Sequence, residues 1–279
     1  MMRGSTSARR QQSRSAEPSR FAAVAPIAFP DWREADDYAW LEALPREAFA
    51  WEWLRRQPAY RSAAMAASRA PPRACVRADL ARRWNLHAFE DPDLTAIEAR
   101  PMWTREAYPS VLCAHAMVAA TPSPETVAIA RFPDAATVIR CGRVQHLNLS
   151  NGVRSLRLDL WGERVGKEPL RLRYDLHGVR SLGPPLETLR RFKFFIEHGR
   201  FSIGLHPPEP RSSRMILVLR VFDALNSGAT QRDLAGLLGL RALSGPGWRS
   251  DHPSLRSRAQ RLVGTARGFG AGGFWQLLR

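Results

Sequence analysis

The sequence predicts an α+β chain: an N-terminal helical hairpin, a central antiparallel β-meander and a C-terminal helix-turn-helix-like three-helix unit. Three observations point there. Between residues 30 and 60, apolar and aromatic side chains recur at helical spacing. From about Ser110 the period drops to two. After Pro207, Pro208 and Pro210 the helical period returns and persists to the end.

Residues 1–20 are Ser, Arg and Gln with five Arg against the single acid Glu17. Such a segment cannot bury a core, so residues 1–29 are expected to form a disordered basic tail. The sign then reverses: residues 30–60 carry four Arg and seven acids. Asp31 with Glu34 reads as a capping box opening a helix through Leu44, and Pro45 suits the first turn of a second helix ending before Pro58. Phe49 and Trp53 share one face, as do Tyr38 and Leu41. Trp32, Trp40, Trp51 and Trp53 then have two readings. They fill the core of a helical hairpin, or they form a docking surface for another protein, since Trp concentrates at interface hot spots. Residues 61–109 complete this module with short helical pieces such as Arg77–Leu86.

Val111–Met117, Thr126–Phe132 and Ala136–Cys141 are apolar runs of strand length. Val144–Ser150 and Val153–Leu160 flank Asn151-Gly152, a hairpin signal because a type I′ turn needs two positive φ angles. Leu156, Leu158 and Leu160 alternate with Arg157 and Asp159; Leu170, Leu172 and Tyr174 alternate with Arg171 and Arg173. Both read as strands with one wet face. Leu182–Phe195 is the helix expected to cover this sheet, and the unit spans residues 110–210.

In residues 211–279, Met215, Val218, Leu219, Phe222 and Leu225 form a helical stripe ending at Gly228. Thr230 and Asp233 make a capping box for a short helix stopping at Gly239. Ser254 is expected to cap a third helix whose buried stripe is Leu255, Ala259, Leu262 and Ala266. Gly264 and Gly268 inside it weaken the helix by up to ~1 kcal/mol each.

The charge narrows the partners. Forty-two basic residues against 26 acidic ones leave +16 and a pI near 11.3. All the basic residues but Lys167 and Lys193 are Arg. Codon bias accounts for Arg over Lys but not for the excess over acid, which implies a polyanionic partner. The three cysteines, Cys75, Cys113 and Cys141, form no CxxC pair, which fits a reducing cytoplasm. No run approaches the ~20 apolar residues of a membrane span. Phe21–Phe29 is too short for a signal peptide and contains Pro26.

Catalytic signatures are missing. The seven His make no HExxH and flank no Cys pair, so neither a metal nor a cofactor is expected. There is no GxxxxGK[ST] or GxSxG. His177 and Arg180 would suit a tyrosine recombinase, but no Tyr follows them. An enzyme is not expected.

What remains is the C-terminal trio. Ser227–Ala235 reads as the opening of a helix-turn-helix, with the third helix presented outward. On that helix Arg258, Arg261 and Thr265 share a face with Ser254 and Ser257 near it, and Arg256, Gln260 and Arg267 fall on the adjoining face. Arg matches guanine O6 and N7, and Gln pairs with adenine N6 and N7. Gln231 and Arg232 at the second helix start, and Arg249 in the preceding loop, suit phosphates. Double-stranded DNA is therefore the expected partner. Two other classes stay open: a protein-binding antiactivator or adaptor using the aromatic hairpin, and an RNA binder using Arg157, Arg171 and Arg173. The strands lack the exposed aromatics that RNA stacking requires.

Pro30-Asp31-Trp32, Tyr38-Ala39-Trp40-Leu41 and Phe49–Arg56 with Pro58–Arg61 resemble the N-terminal transcriptional regulator-like domain of bacterial proteins. Leu170–Gly178, Gly228–Gly239, Ser254–Val263 and Gly272-Gly273-Phe274 resemble the domain of unknown function that follows it. The resemblance implies a cytoplasmic, nucleoid-associated transcription activator of integrative and conjugative elements. RNA polymerase or another regulator are then further partners, and self-association fits symmetric sites.

Overall fold

A computed structural model describes residues 29–69, 74–121, 123–230, 233–234, 237 and 253–279. Those residues form a mixed α+β structure with a five-stranded sheet in the middle and helices at both ends. The basic tail before Phe29 and the loop after Gly239 lie outside the described residues.

The N-terminal part opens differently from expectation. No capped helix starts at Asp31; its carboxylate accepts from Arg33 N, and a 3-10 helix runs Asp36–Ala43. Tyr38 and Leu41 are both buried, and their spacing of three matches one 3-10 turn. Helix α1 is Arg46–Leu54 with Pro45 as its N-cap. Pro58 not only lies beyond it but opens α2, Pro58–Arg69, at the position where Pro loses no hydrogen bond. Helix α3 (Ala74–Arg82) and the short α4 (Ala96–Ala99) follow, the latter with Glu98 accepting from Thr95 N and Oγ1.

The strands are β1 (Val111–Val118), β2 (Ala136–Cys141), β3 (Val144–Ser150), β4 (Ser155–Gly162) and β5 (Leu170–Asp175). They lie in the order β2-β3-β4-β1-β5. Only β2 to β4 form the expected meander. Strand β1 inserts beside β4 in parallel and pairs β5 antiparallel, so the sheet is mixed. Strands β3 and β4 are buried on both faces, which is the setting in which parallel pairing is found. Thr126–Phe132 is no strand: Val127 makes one bridge to Leu170, and Ile129–Arg131 is a 3-10 turn.

The Asn151-Gly152 turn is also wider than expected. Ser150 pairs with Ser155, and Asn151 Oδ1 accepts from Val153 N and Arg154 N. Gly152 alone has a positive φ, +92°, and a Cβ there would lie 2.7 Å from Ile97 Cγ2.

Gly162 closes β4 at φ +90°, where a Cβ would lie 2.4 Å from Ala116 O in β1. Gly162→Ala should therefore cost about 1–3 kcal/mol, since backbone strain and a clash with an immovable carbonyl add. Gly142 also has a positive φ, but open space surrounds it. Gly142→Ala should cost only about 1 kcal/mol, and urea midpoints of the two variants check the difference.

Each sheet face backs a different core. Leu112, Leu147, Leu158 and Leu160 pack under Phe192 and Phe195 of α5, Gly183–His198, the expected covering helix. The second core joins the two ends of the chain. The N-terminal aromatics pack directly against α6 (Ser212–Asn226), α7 (Pro253–Gly270) and a closing 3-10 helix, Gly273–Leu278. Helix α7 passes unbroken through Gly264 and Gly268, both in open space. At Gly270 a Cβ would lie 2.4 Å from Phe222 Cε2, so the missing side chain lets α6 and α7 cross closely.

Candidate nucleic-acid interface

Helix α7 is anchored by one face. Leu262 and Ala266 are buried, and Val263 is partly buried against the second core. On the other side Ser257, Arg258, Gln260, Arg261 and Arg267 are exposed. Among the described residues, no ion pair engages Arg258, Arg261 or Arg267. Their charge faces solvent on a rigid helix. The helix begins at Pro253, so Ser254 sits inside its first turn rather than capping it, with Arg256 close behind. Gln231, Arg232 and Arg249 lie outside the described residues.

The turn before α7 keeps its expected capping. Asp233 Oδ2 accepts from Thr230 N at 2.8 Å and from Thr230 Oγ1 at 2.7 Å. Leu234 is buried in the second core.

A groove of about 460 Å³ runs along the side of α7. Trp53, Val218 and Phe269 line it together with Arg46, Glu209, Arg211 and Arg214. These three arginines were not singled out in the sequence. Arg46 is far from the other two along the chain, and only the joining of the chain ends brings them to Thr265.

The tryptophans are core residues. Trp51 and Trp53 are almost wholly buried and Trp32 is 6% exposed, so their rings offer no surface to a partner. Trp51 Nε1 donates to Leu94 O at 3.0 Å. The Trp53 ring lies 4.9 Å from Phe222 of α6 and 5.2 Å from Phe269 of α7. Of the four tryptophans read as a docking surface, Trp40 alone is half-exposed, and its Nε1 donates to Asp37 O. The docking reading fails for Trp32, Trp51 and Trp53 because both chain ends close over them.

The basic sheet face is corrected too. Arg171 and Arg173 on the edge strand are exposed, but Arg157 is buried and donates to Trp103 O. Burial lowers its pKa to about 10, against the pull of Asp159, so it stays charged. His177 is exposed just after β5.

Two family models match the chain. Residues 31–87 match a proteobacterial transcriptional regulator-like domain. Residues 185–279 match a domain described as "T6SS, Transcription factor, DNA binding domain", the RovC DNA-binding domain. The chain is a two-domain DNA-binding transcriptional regulator. No curated protein and no solved structure matches it.

In this regulator the two matched segments are ionically joined. Arg56 Nε and Nη2 donate to the two carboxylate oxygens of Asp223, at 2.8 and 3.0 Å. Tyr38 OH donates to Asp223 Oδ2 at 2.7 Å. Arg56 Nη1 and Arg55 Nε both donate to Glu52 Oε2 at 2.7 Å, and Ala96 N donates to Glu52 Oε1. Burial alone would raise the Glu52 carboxyl; the Arg55 and Arg56 guanidiniums outweigh it and hold it below the usual range. The signal for this clamp in the sequence is faint: one acid, Asp223, inside an otherwise apolar helical stripe.

A second buried polar group lies where the N-terminal segment meets the sheet. His87 follows α3, and His146 and Asp159 face it from β3 and β4. His146 Nδ1 lies 2.6 Å from Asp159 Oδ1, and the two imidazoles stack with centroids 3.5 Å apart. No local sequence motif connects these three residues, and His87 lies far from the other two along the chain. No helix among the described residues is long and apolar enough to cross a membrane.

Proposed function

We propose that the regulator activates genes of a mobile or horizontally acquired element, with α7 as the recognition helix of a helix-turn-helix unit. The observation that carries this reading is the face bearing Arg258, Gln260 and Arg261: exposed, free of ion pairs, and fixed from behind by Leu262 and Ala266. Rigid presentation of Arg and Gln is what base readout needs. Ser254, Arg256, Ser257 and Arg267 extend the contact, and Gln231, Arg232 and Arg249 hold phosphates. Arg46, Arg211 and Arg214 supply flanking phosphate contacts.

On this reading the chain divides into a tail (1–29), an N-terminal module (30–109), a sheet (110–210) and a DNA-reading region (211–279). No residue is assigned a catalytic role, and the regulator works in the cytoplasm on the nucleoid. The acids Glu34, Asp36, Asp37 and Glu42 are exposed. They are the contact for RNA polymerase or another regulator. A homo-oligomer on a repeated site is the working assembly.

A gel shift on duplexes from the operon next to the gene, run over a salt series, tests the reading. Arg258→Ala and Arg261→Ala should each cost about 1–3 kcal/mol on the preferred duplex and little on random duplex. Equal losses on every sequence would reduce both residues to phosphate contacts. A wild-type protein that prefers no duplex would move the function to an adaptor or antiactivator. A promoter fusion that stays silent when the gene is induced would remove the activator role.

A further inference from the structure

We infer that His87, His146 and Asp159 form a binding site for one late first-row divalent cation, best matched by zinc, which pins the N-terminal module to the sheet. Their ligand atoms lie within 4.8 Å of one another, and all three residues are at least nine-tenths buried. Two imidazole nitrogens suit such a cation, with the carboxylate behind one of them.

The unmet hydrogen bonds point to a ligand. His87 Nε2 and His146 Nε2 are both buried without a partner. Buried polar atoms in native proteins nearly always find one. His146 is already arranged as a metal ligand would be: one ring nitrogen rests on a carboxylate, which fixes the tautomer and leaves the other lone pair free. His87 is held from its backbone, where its N donates to Met102 O at 2.9 Å.

Charge also agrees. Asp159 offsets part of the cation's charge. Arg157 Nη2 shares that carboxylate as an ion pair at 3.7 Å, while its Nη1 is bound to Trp103 O. Because His87 ends the N-terminal matched segment while His146 and Asp159 belong to the sheet, the cation joins two parts of the fold.

The test uses the full-length, untagged chain, stripped with a chelator and titrated separately with zinc and cobalt chloride. One equivalent should bind, and at ~100-fold excess over Kd the Tm should rise by about 5–10 °C. Asp159→Asn should weaken zinc affinity about 10- to 100-fold. His87→Gln with His146→Gln should abolish the tight equivalent while near-UV circular dichroism stays native. If that double variant does not fold, the wild-type cobalt spectrum decides. An intense visible band, displaced by one equivalent of zinc, supports the site. The weak pink spectrum of hydrated cobalt overturns it, as does equal zinc uptake by the folded double variant.

Discussion

Asp223→Ala should cost about 3–5 kcal/mol of folding stability and lower the Tm by roughly 10 °C. The reason is what the substitution leaves behind. Arg56 is 5% exposed, and its fork loses both bonds to the Asp223 carboxylate. Tyr38 OH loses its 2.7 Å acceptor in the same step. A buried guanidinium and a buried hydroxyl then carry their desolvation cost without the compensating carboxylate. Replacing the pair together, Arg56→Met with Asp223→Leu, should cost much less, because an apolar pair leaves no charge unmatched. A urea series on both variants checks the contrast. A loss as large in the double variant as in Asp223→Ala would show that shape, not charge, matters there.

The same network sets an acid limit. Glu52 has a folded pKa held below its unfolded value, so its contribution is complete above about pH 4.5, the ordinary glutamate range. As pH falls through the folded pKa the unfolded state binds the extra proton first, and stability drops. Thermal melts from pH 6 to 3 should show that decline. In Glu52→Gln the starting stability should be lower and the decline shallower, since no carboxylate remains to titrate.

How far the sequence could be read differs by element, and the differences have causes. Strands β2 and β3 match the expected bounds residue for residue, because Pro, Asp and Gly punctuate short apolar runs. The Thr230/Asp233 capping box was legible for the same reason: it is local chemistry. The parallel pairing of β1 with β4 was not, because Val111 and Arg157 are far apart in sequence and nothing in either strand encodes the partner. Arg157 and Asp159 looked like the wet face of a strand because alternation reports polarity, not what covers it. Here the N-terminal segment covers them, and the buried charge is met by His146 and Trp103 O. The exposed face of α7 was readable from helical periodicity alone, whereas its support from Trp53 was not.

Trp53→Ala should destabilise the regulator by about 3–5 kcal/mol and weaken DNA binding in the same step. Its indole is wedged between Phe222 of α6 and Phe269 of α7, so its removal leaves a cavity at the crossing that aims the exposed arginines. Trp53→Phe should recover most of the stability, since a smaller aromatic ring still bridges the two helices. Trp40→Ala is the control: its ring is half-exposed with one bond to Asp37 O, and its loss should cost about 1 kcal/mol or less. Paired measurements of Tm and duplex affinity separate core from docking. If Trp53→Ala keeps the wild-type Tm, the ring is not a wedge. If it loses stability but keeps full affinity and sequence preference in the folded fraction, α7 is positioned by its own contacts and not through the N-terminal domain. Joint loss means that the N-terminal domain is part of the reading head, and any partner that shifts α1 acts on DNA through Trp53.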